Sequence, residues 1–228
     1  MVFVNIYMKV KLLKFTPDSE KICAVAARLC YSSIGIEEVF EKFAKKEIKK
    51  LLLKVISSGH HSVLEHASFT FGVEDVSRVL LAQLTRHRIA SFSVQSQRYV
   101  EFKDATRFIV PNTIRKNKVL LKKYIKFLKS AEGLYKEFLE ARIPAEDARY
   151  ILSNSFVTKI IITMNARELR HFFSLRCCNR AQLELRNMAC RMLSLVKKTA
   201  PMLFFDAGPD CVRNNCRESF PCGETWLK

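Results

Sequence analysis

Arg86-His87-Arg88-Ile89-Ala90-Ser91-Phe92-Ser93-Val94-Gln95-Ser96-Gln97-Arg98 packs three arginines, a histidine, three serines and two glutamines into thirteen residues. Such a run is costly unless it meets a ligand that is anionic and rich in acceptors, a phosphate or a nucleobase. A second polar run, Gly59-His60-His61-Ser62-Val63-Leu64-Glu65-His66, carries three of the five histidines. Neighbouring histidines point apart and no HExxH pattern is present, so this is a weak metal site. A loop opened by glycine and bearing imidazoles suits an aromatic cofactor or a phosphate better.

These residues need elements to hold them, and the apolar spacing supplies candidates. A helix around 76–86 places Val76, Val79 and Leu80 on one face, with Gln83 between Val79 and Leu80. Gln83 is then either a core amide bonded to nearby backbone or an amide aimed at a ligand, and the spacing leaves both open. In a helix from about Ala166 to Cys177, Leu169, Phe172 and Phe173 share a face with Arg176. An arginine there must be paired or sit at the mouth of a pocket. Positions i−3 and i−4 are Phe173 and Phe172, so no local acid answers it, and an anion is the better partner. Asn165-Ala166-Arg167-Glu168 has capping-box spacing at the start of that helix. The cap explains Asn165, and a helix N-terminus can hold an anion as well. A third helix, Gln182–Thr199, puts Gln182 in line with Leu185, Ala189 and Leu193.

Along the rest of the chain, Met8–Leu12 alternates as a strand and Pro17-Asp18 opens a helix to about Cys30. Ile36–Ser57 reads as one or two basic amphipathic helices. Ala67–Val73 and Phe156–Met164 are strand candidates, the latter central. Tyr99–Phe102 and Phe108–Val110 read as short strands around the loop Lys103–Arg107. Asn117–Ala141 is a long helix, with a short one after Pro144. Strands and helices mix without a regular βαβ rhythm, which gives an α+β fold with an antiparallel or mixed sheet flanked by helices.

The 228 residues suffice for one large domain or two small ones. Lys plus Arg is 39 against 22 Asp plus Glu, a net charge of +17 that favours anionic partners without naming them. Many lysines fall in Lys42–Lys54 and Lys116–Lys129 at helical spacing, and are read as solvated faces. A nucleic-acid surface is the rival reading, against which stands the lack of any recognisable nucleic-acid motif. Apolar runs are far shorter than the roughly 18 residues that span a bilayer, and no signal-peptide core opens the chain. A cytoplasmic protein with no membrane partner is expected. Of the eight cysteines, Cys23 and Cys30 read as core residues, and Cys177, Cys178 and Cys190 fall in helical context. Cys211, Cys216 and Cys222 lie in a loop-like tail. With a fourth ligand they would suit a metal, but their spacing matches no common zinc knuckle or ribbon. Reduced thiols and no metal are expected.

Arg86-His87-Arg88, seven residues, then Ser96 resembles the signature of flavin-dependent thymidylate synthases. That family also has an upstream segment matched by Gly59, His60, Ser62, Glu65 and His66. Further on, Asn165-Ala166-Arg167, Leu175-Arg176 and Ala181-Gln182 match in order. The resemblance covers about residues 8–205, read as one synthase domain (1–205) followed by a cysteine-bearing tail (206–228). It implies reductive methylation of dUMP to dTMP, with methylenetetrahydrofolate as carbon donor, NADPH as reductant and FAD as hydride carrier. It also implies a homotetramer with active sites between subunits. His60, Ser62, Arg86, His87, Arg88, Asn165 and His171 match FAD-contacting positions. Gln83, Ser96, Arg98, Arg149 and Arg176 match dUMP-contacting positions, with Gln95 and Gln97 on the same loop. Catalytic roles fall to Arg176, Arg149 and Ser96. Ser96 has no activating His–Asp pair at local spacing, so it is assigned to binding and dUMP is expected to react without a covalent bond to the enzyme. Two departures stand out: Val94 where some members have Glu or Gln, and His171 where some have Asn.

Overall fold

The computed structural model describes residues 7–102, 107–213 and 216–223. Four strands, β1 (Lys9–Phe15), β2 (Ser68–Ser77), β3 (Ala90–Val94) and β4 (Val157–Asn165), form one sheet in the order β1-β2-β4-β3. The pairing is antiparallel: Thr16 N–H reaches Ser68 O at 3.0 Å, and Ala166 N–H reaches Ala67 O at 2.7 Å. With helices throughout the remaining chain, the expected α+β class holds.

The chain divides into two compact units, and β2 and β4 each pass from one to the other. The first consists of the N-terminus up to Lys9, Val73–Thr85 and Ser93–Ile160. It contains α4 (Arg78–Leu84), α5 (Asn112–Arg115), α6 (Lys118–Glu140) and α7 (Ala145–Ala148). Helix α6 starts where the Asn117 side chain accepts N–H bonds from Val119 and Leu120, at 3.2 and 3.1 Å. It buries Leu128, Ala131 and Tyr135 and leaves its lysines in solvent, as amphipathic spacing dictates. Phe102 packs edge-on to Phe156, and the Tyr135 hydroxyl accepts the Phe102 N–H at 3.3 Å.

The second unit holds Val10–Gly72, Arg86–Phe92 and the chain from Ile161 onward. Its helices are α1 (Ser19–Leu29), α2 (Ile36–Lys42), α3 (Lys45–Ser57), α8 (Ala166–Arg176), α9 (Leu183–Thr199) and α10 (Pro201–Phe204). A two-turn 3-10 segment, His61–His66, packs on α1 and α8. The core is aromatic: Phe69 meets Phe204, Phe204 meets Phe173, Phe173 meets Phe172, and the Phe172 ring meets His87 with centroids 5.0 Å apart. Edge-to-face packing of this kind gives each ring one favoured orientation. It therefore ties the placement of His87 to the core.

Several local expectations need correcting. β2 continues to Ser77, so Val76 lies in a strand, and the α4 helix buries Leu80 and Leu84 while Val79 is 44% exposed. Residues 76–85 carry two periods end to end, and a single helical period misassigned the face. No strand forms at 99–102 or 108–110: Phe108 makes one isolated bridge to Phe156, and the adjacent sheet strand is β3. The expected loop Lys103–Arg107 lies mostly outside the described residues. Cys30 is exposed at the end of α1, its thiol bonded to Ala26 O, whereas Cys23 is buried as expected. Gln182 precedes α9 and caps it by accepting Leu185 N–H at 3.0 Å, so it is not part of the helix stripe.

Candidate active site

His87 organises the arginine-rich run. It is 5% exposed, and it sits between Glu168 and Arg176, both on α8. Arg176 Nε donates to His87 Nε2 at 3.0 Å. A guanidinium Nε can only donate, so Nε2 carries a lone pair and the ring proton is on Nδ1. That proton goes to Glu168 Oε1 at 2.8 Å. Burial disfavours the imidazolium and pulls His87 below the ordinary histidine range, opposed by the hydrogen bond that it donates to Glu168. The ring is neutral at neutral pH, as the hydrogen-bond pattern requires.

Arg176 spends its Nε on this imidazole, and its two Nη groups are left for another acceptor. Among the described residues no carboxylate lies within ion-pair distance of it. Burial first, and Arg86 second, push its guanidinium below the ordinary value. A half-buried cation beside another cation is a prepared anion site.

Helix α8 delivers these groups because β4 runs straight into it. Asn165 closes the strand and caps the helix by accepting Glu168 N–H at 2.8 Å. The reciprocal half of the expected capping box is replaced, since the Glu168 carboxylate turns to His87 instead. A cavity of about 1170 Å³ opens beside α8, lined by Asn165, Arg167, Glu168, His171 and Arg176. His61 and Glu65 line it from the 3-10 segment, and Glu65 holds Arg167 at 2.5 Å. Part of the tail, including Cys211, Cys216 and Cys222, completes the lining. No group of three or more His, Cys, Asp or Glu suited to a metal occurs among the described residues.

The expected site residues thus fall into two sets. His60, Ser62, Arg86, His87, Arg88, Asn165, His171 and Arg176 are all in the second unit. Asn165, His171 and Arg176 line the cavity; His60, Ser62, Arg86 and Arg88 are exposed on flanking segments. Gln83, Gln95, Ser96, Gln97, Arg98 and Arg149 are in the first unit. There Glu146 gathers the arginines: its carboxylate takes Arg98 Nε at 2.8 Å, and its carbonyl takes Arg149 Nε at 3.0 Å. Arg78 is close enough to Arg149 for its own guanidinium to be pushed down, after burial as the larger cause. Ser96 Oγ accepts Arg98 N–H at 3.0 Å, which shapes the turn after β3. Gln97 is buried, and its Nε2 has no partner among the described residues. All five histidines lie in the other unit, so Ser96 has no imidazole base in its own.

Sequence reasoning missed Glu168, Glu146, Arg78 and the lining role of His61. Glu168, Phe172 and Arg176 are four apart along one stripe of α8, and that spacing was a readable signal. The Arg98–Glu146 pair spans 48 residues and left no local trace.

For a flavin dinucleotide, the cavity is large enough, and its donors suit one. Arg167 and the N-terminus of α8 favour a pyrophosphate, and His171 offers an aromatic face.

Residues 11–202 match the family model described as thymidylate synthase complementing protein. The flavin-dependent thymidylate synthase of Geobacter sulfurreducens is 50% identical, over 95% of this chain and 94% of that protein. The protein of the same description from Clostridium tetani is 46% identical, over 95% and 94%. Among solved structures, the UMP/dUMP methylase PolB of Streptomyces cacaoi, bound with 5-Br dUMP, superposes with a TM-score of 0.78. It is 24% identical, with 87% of this chain and 94% of that one covered, and so attests the fold alone. A family match over most of the length, joined to half-identical relatives, makes this chain a member of the flavin-dependent thymidylate synthases, a family of methyltransferases.

Proposed function

We propose that this enzyme converts dUMP to dTMP, taking the carbon from methylenetetrahydrofolate and the reducing equivalents from NADPH, with FAD as hydride carrier. The observation that carries the reading is Arg176, a half-buried guanidinium anchored by a neutral histidine at the edge of a large cavity and, among the described residues, without a carboxylate partner. Arg176 and Arg98 neutralise the nucleotide phosphate, the geometry in which arginine outperforms lysine. Arg149 takes the uracil edge and stabilises negative charge as it develops on the pyrimidine. Gln83, Gln95 and Gln97 orient the base and sugar, and the unpartnered Gln97 amide supports this. Ser96 binds and does not attack. His60, Ser62, Arg86, His87, Arg88, Asn165 and His171 form the flavin side, where His171 supplies a ring face and Asn165 the helix N-terminus. The flavin, when bound, supplies the hydride chemistry, while the protein orients and polarises.

The arrangement works as a homotetramer in which neighbouring subunits complete each site, with residues 1–205 as one catalytic domain and 206–228 as its tail. No described helix is long and apolar enough to cross a membrane, and a cytoplasmic enzyme is part of the proposal. Omission assays test it. Product dTMP, followed by chromatography, is expected only when dUMP, methylenetetrahydrofolate, NADPH and FAD are all present. Turnover that persists without the folate or the flavin would refute the assignment.

A further inference from the structure

We infer that Glu168 is the positioning residue of Arg176 and acts through His87: by taking the Nδ1 proton it leaves Nε2 as the acceptor that fixes Arg176 Nε. Three observations on one helix support this. Glu168 Oε1 to His87 Nδ1 is 2.8 Å, and His87 Nε2 to Arg176 Nε is 3.0 Å. Glu168 and His87 are both nine-tenths or more buried, so water does not compete for either bond. The His87 ring is clamped edge-on by Phe172, from the turn of α8 between its two partners.

Without Glu168, the proton is free to move to Nε2. That tautomer presents an N–H to the Arg176 N–H, and the bond becomes a repulsion. Arg176 then swings within its pocket, and its Nη groups no longer converge on one point. The groups facing His87 are Glu168, Arg176 and His171, all from α8, and of these the carboxylate is the one bonded to Nδ1. An N-cap partner at that position would have faced the backbone of Asn165.

The inference rests on the reading of Arg176 as a dUMP ligand, and two independent measurements separate the two. The first is the histidine 15N spectrum of the labelled holoenzyme at neutral pH. A pyrrole-type Nδ1 and a pyridine-type Nε2 are expected for His87, assigned by its loss in His87→Gln. An Nε2–H ring or an imidazolium in the wild-type protein would overturn the relay, with no variant of Glu168 needed. The second is dUMP affinity by calorimetry for wild type, Glu168→Ala, Glu168→Gln, Arg176→Ala and the double variant Glu168→Ala/Arg176→Ala.

Glu168→Ala is expected to weaken dUMP by about tenfold, within the usual coupling of contacting residues. Glu168→Gln keeps an oxygen acceptor for Nδ1–H and is expected to stay within about threefold of wild type. In the Arg176→Ala background, the Glu168→Ala effect should shrink to less than about twofold. Additive losses, or Glu168→Gln as damaging as Glu168→Ala, would overturn the relay in favour of a structural or charge role. An Arg176→Ala variant that binds dUMP as wild type does would refute the substrate reading, and the ring spectrum would still decide the relay.

Discussion

At the scale of single residues, the site depends on how each guanidinium is held. Arg176 is anchored at Nε and, among the described residues, meets no carboxylate at Nη, whereas Arg98 gives its Nε to Glu146 and stacks near Tyr99. Both keep their planar ends for an anion that accepts two parallel bonds, as a phosphate does. Arg176→Ala is expected to raise the dUMP dissociation constant by about 10- to 100-fold, the cost of losing charge-assisted bonds, and to leave flavin binding intact. Calorimetry with dUMP and flavin fluorescence on the same sample check the two halves. Ser96 makes a contrasting prediction. It has no imidazole base in its unit, and its Oγ is committed to the Arg98 N–H. Ser96→Ala should therefore keep measurable turnover with weakened dUMP binding. A collapse of kcat by about 10⁶, as follows removal of a covalent nucleophile, would contradict it.

Among the elements, α8 matters most, because it carries Glu168, His171 and Arg176, with Asn165 as its N-cap, along the wall of one cavity. Its start is fixed by one side-chain cap. Asn165→Ala is expected to cost about 1 kcal/mol and lower the melting temperature by about 2–4 °C, whereas Asn165→Ser should recover most of the loss. Thermal melts of the three proteins measure it. This helix was also the most legible part of the sequence. Its cap, its Phe172–Phe173 face and the odd placement of Arg176 were all readable from spacing, since helical periodicity is local. The 76–85 stretch was read less well, because a strand hands over to a helix at Ser77 without a proline or glycine to mark the change. β3 was hidden for a related reason: Ala90–Val94 pairs with β4, and a partner more than 60 residues away leaves no periodic signal in the run itself. The helix reading of Gln182 was wrong by a single position. That one step turned a capping side chain into a supposed core one.

On the scale of the whole molecule, charge and protonation set the working range. Burial, the largest cause in each case, lowers His87 and His61 below the ordinary histidine value of 6.5. The unfolded chain then binds more protons than the native one just below that value, so stability falls as the pH drops through about 6.5. Melting temperatures between pH 7.5 and 5.5 should decline, and His61→Gln should flatten part of the slope by removing one of the two groups. The excess of +17 predicts a second global property: attraction for anionic nucleotides that weakens as salt rises. Family membership follows from the order of motifs over nearly the entire chain. The relay through His87 does not, because it depends on which way a carboxylate turns at the start of a helix.

Passage of a hydride and a one-carbon unit to dUMP is visible in an anaerobic single turnover. Enzyme reduced at its flavin is mixed with dUMP and methylenetetrahydrofolate, the flavin absorbance is followed, and the nucleotides are separated by chromatography. Flavin reoxidation accompanied by dTMP in equal amount is the predicted result. A bound flavin that stays reduced, or that reoxidises without dTMP, would rule the reaction out.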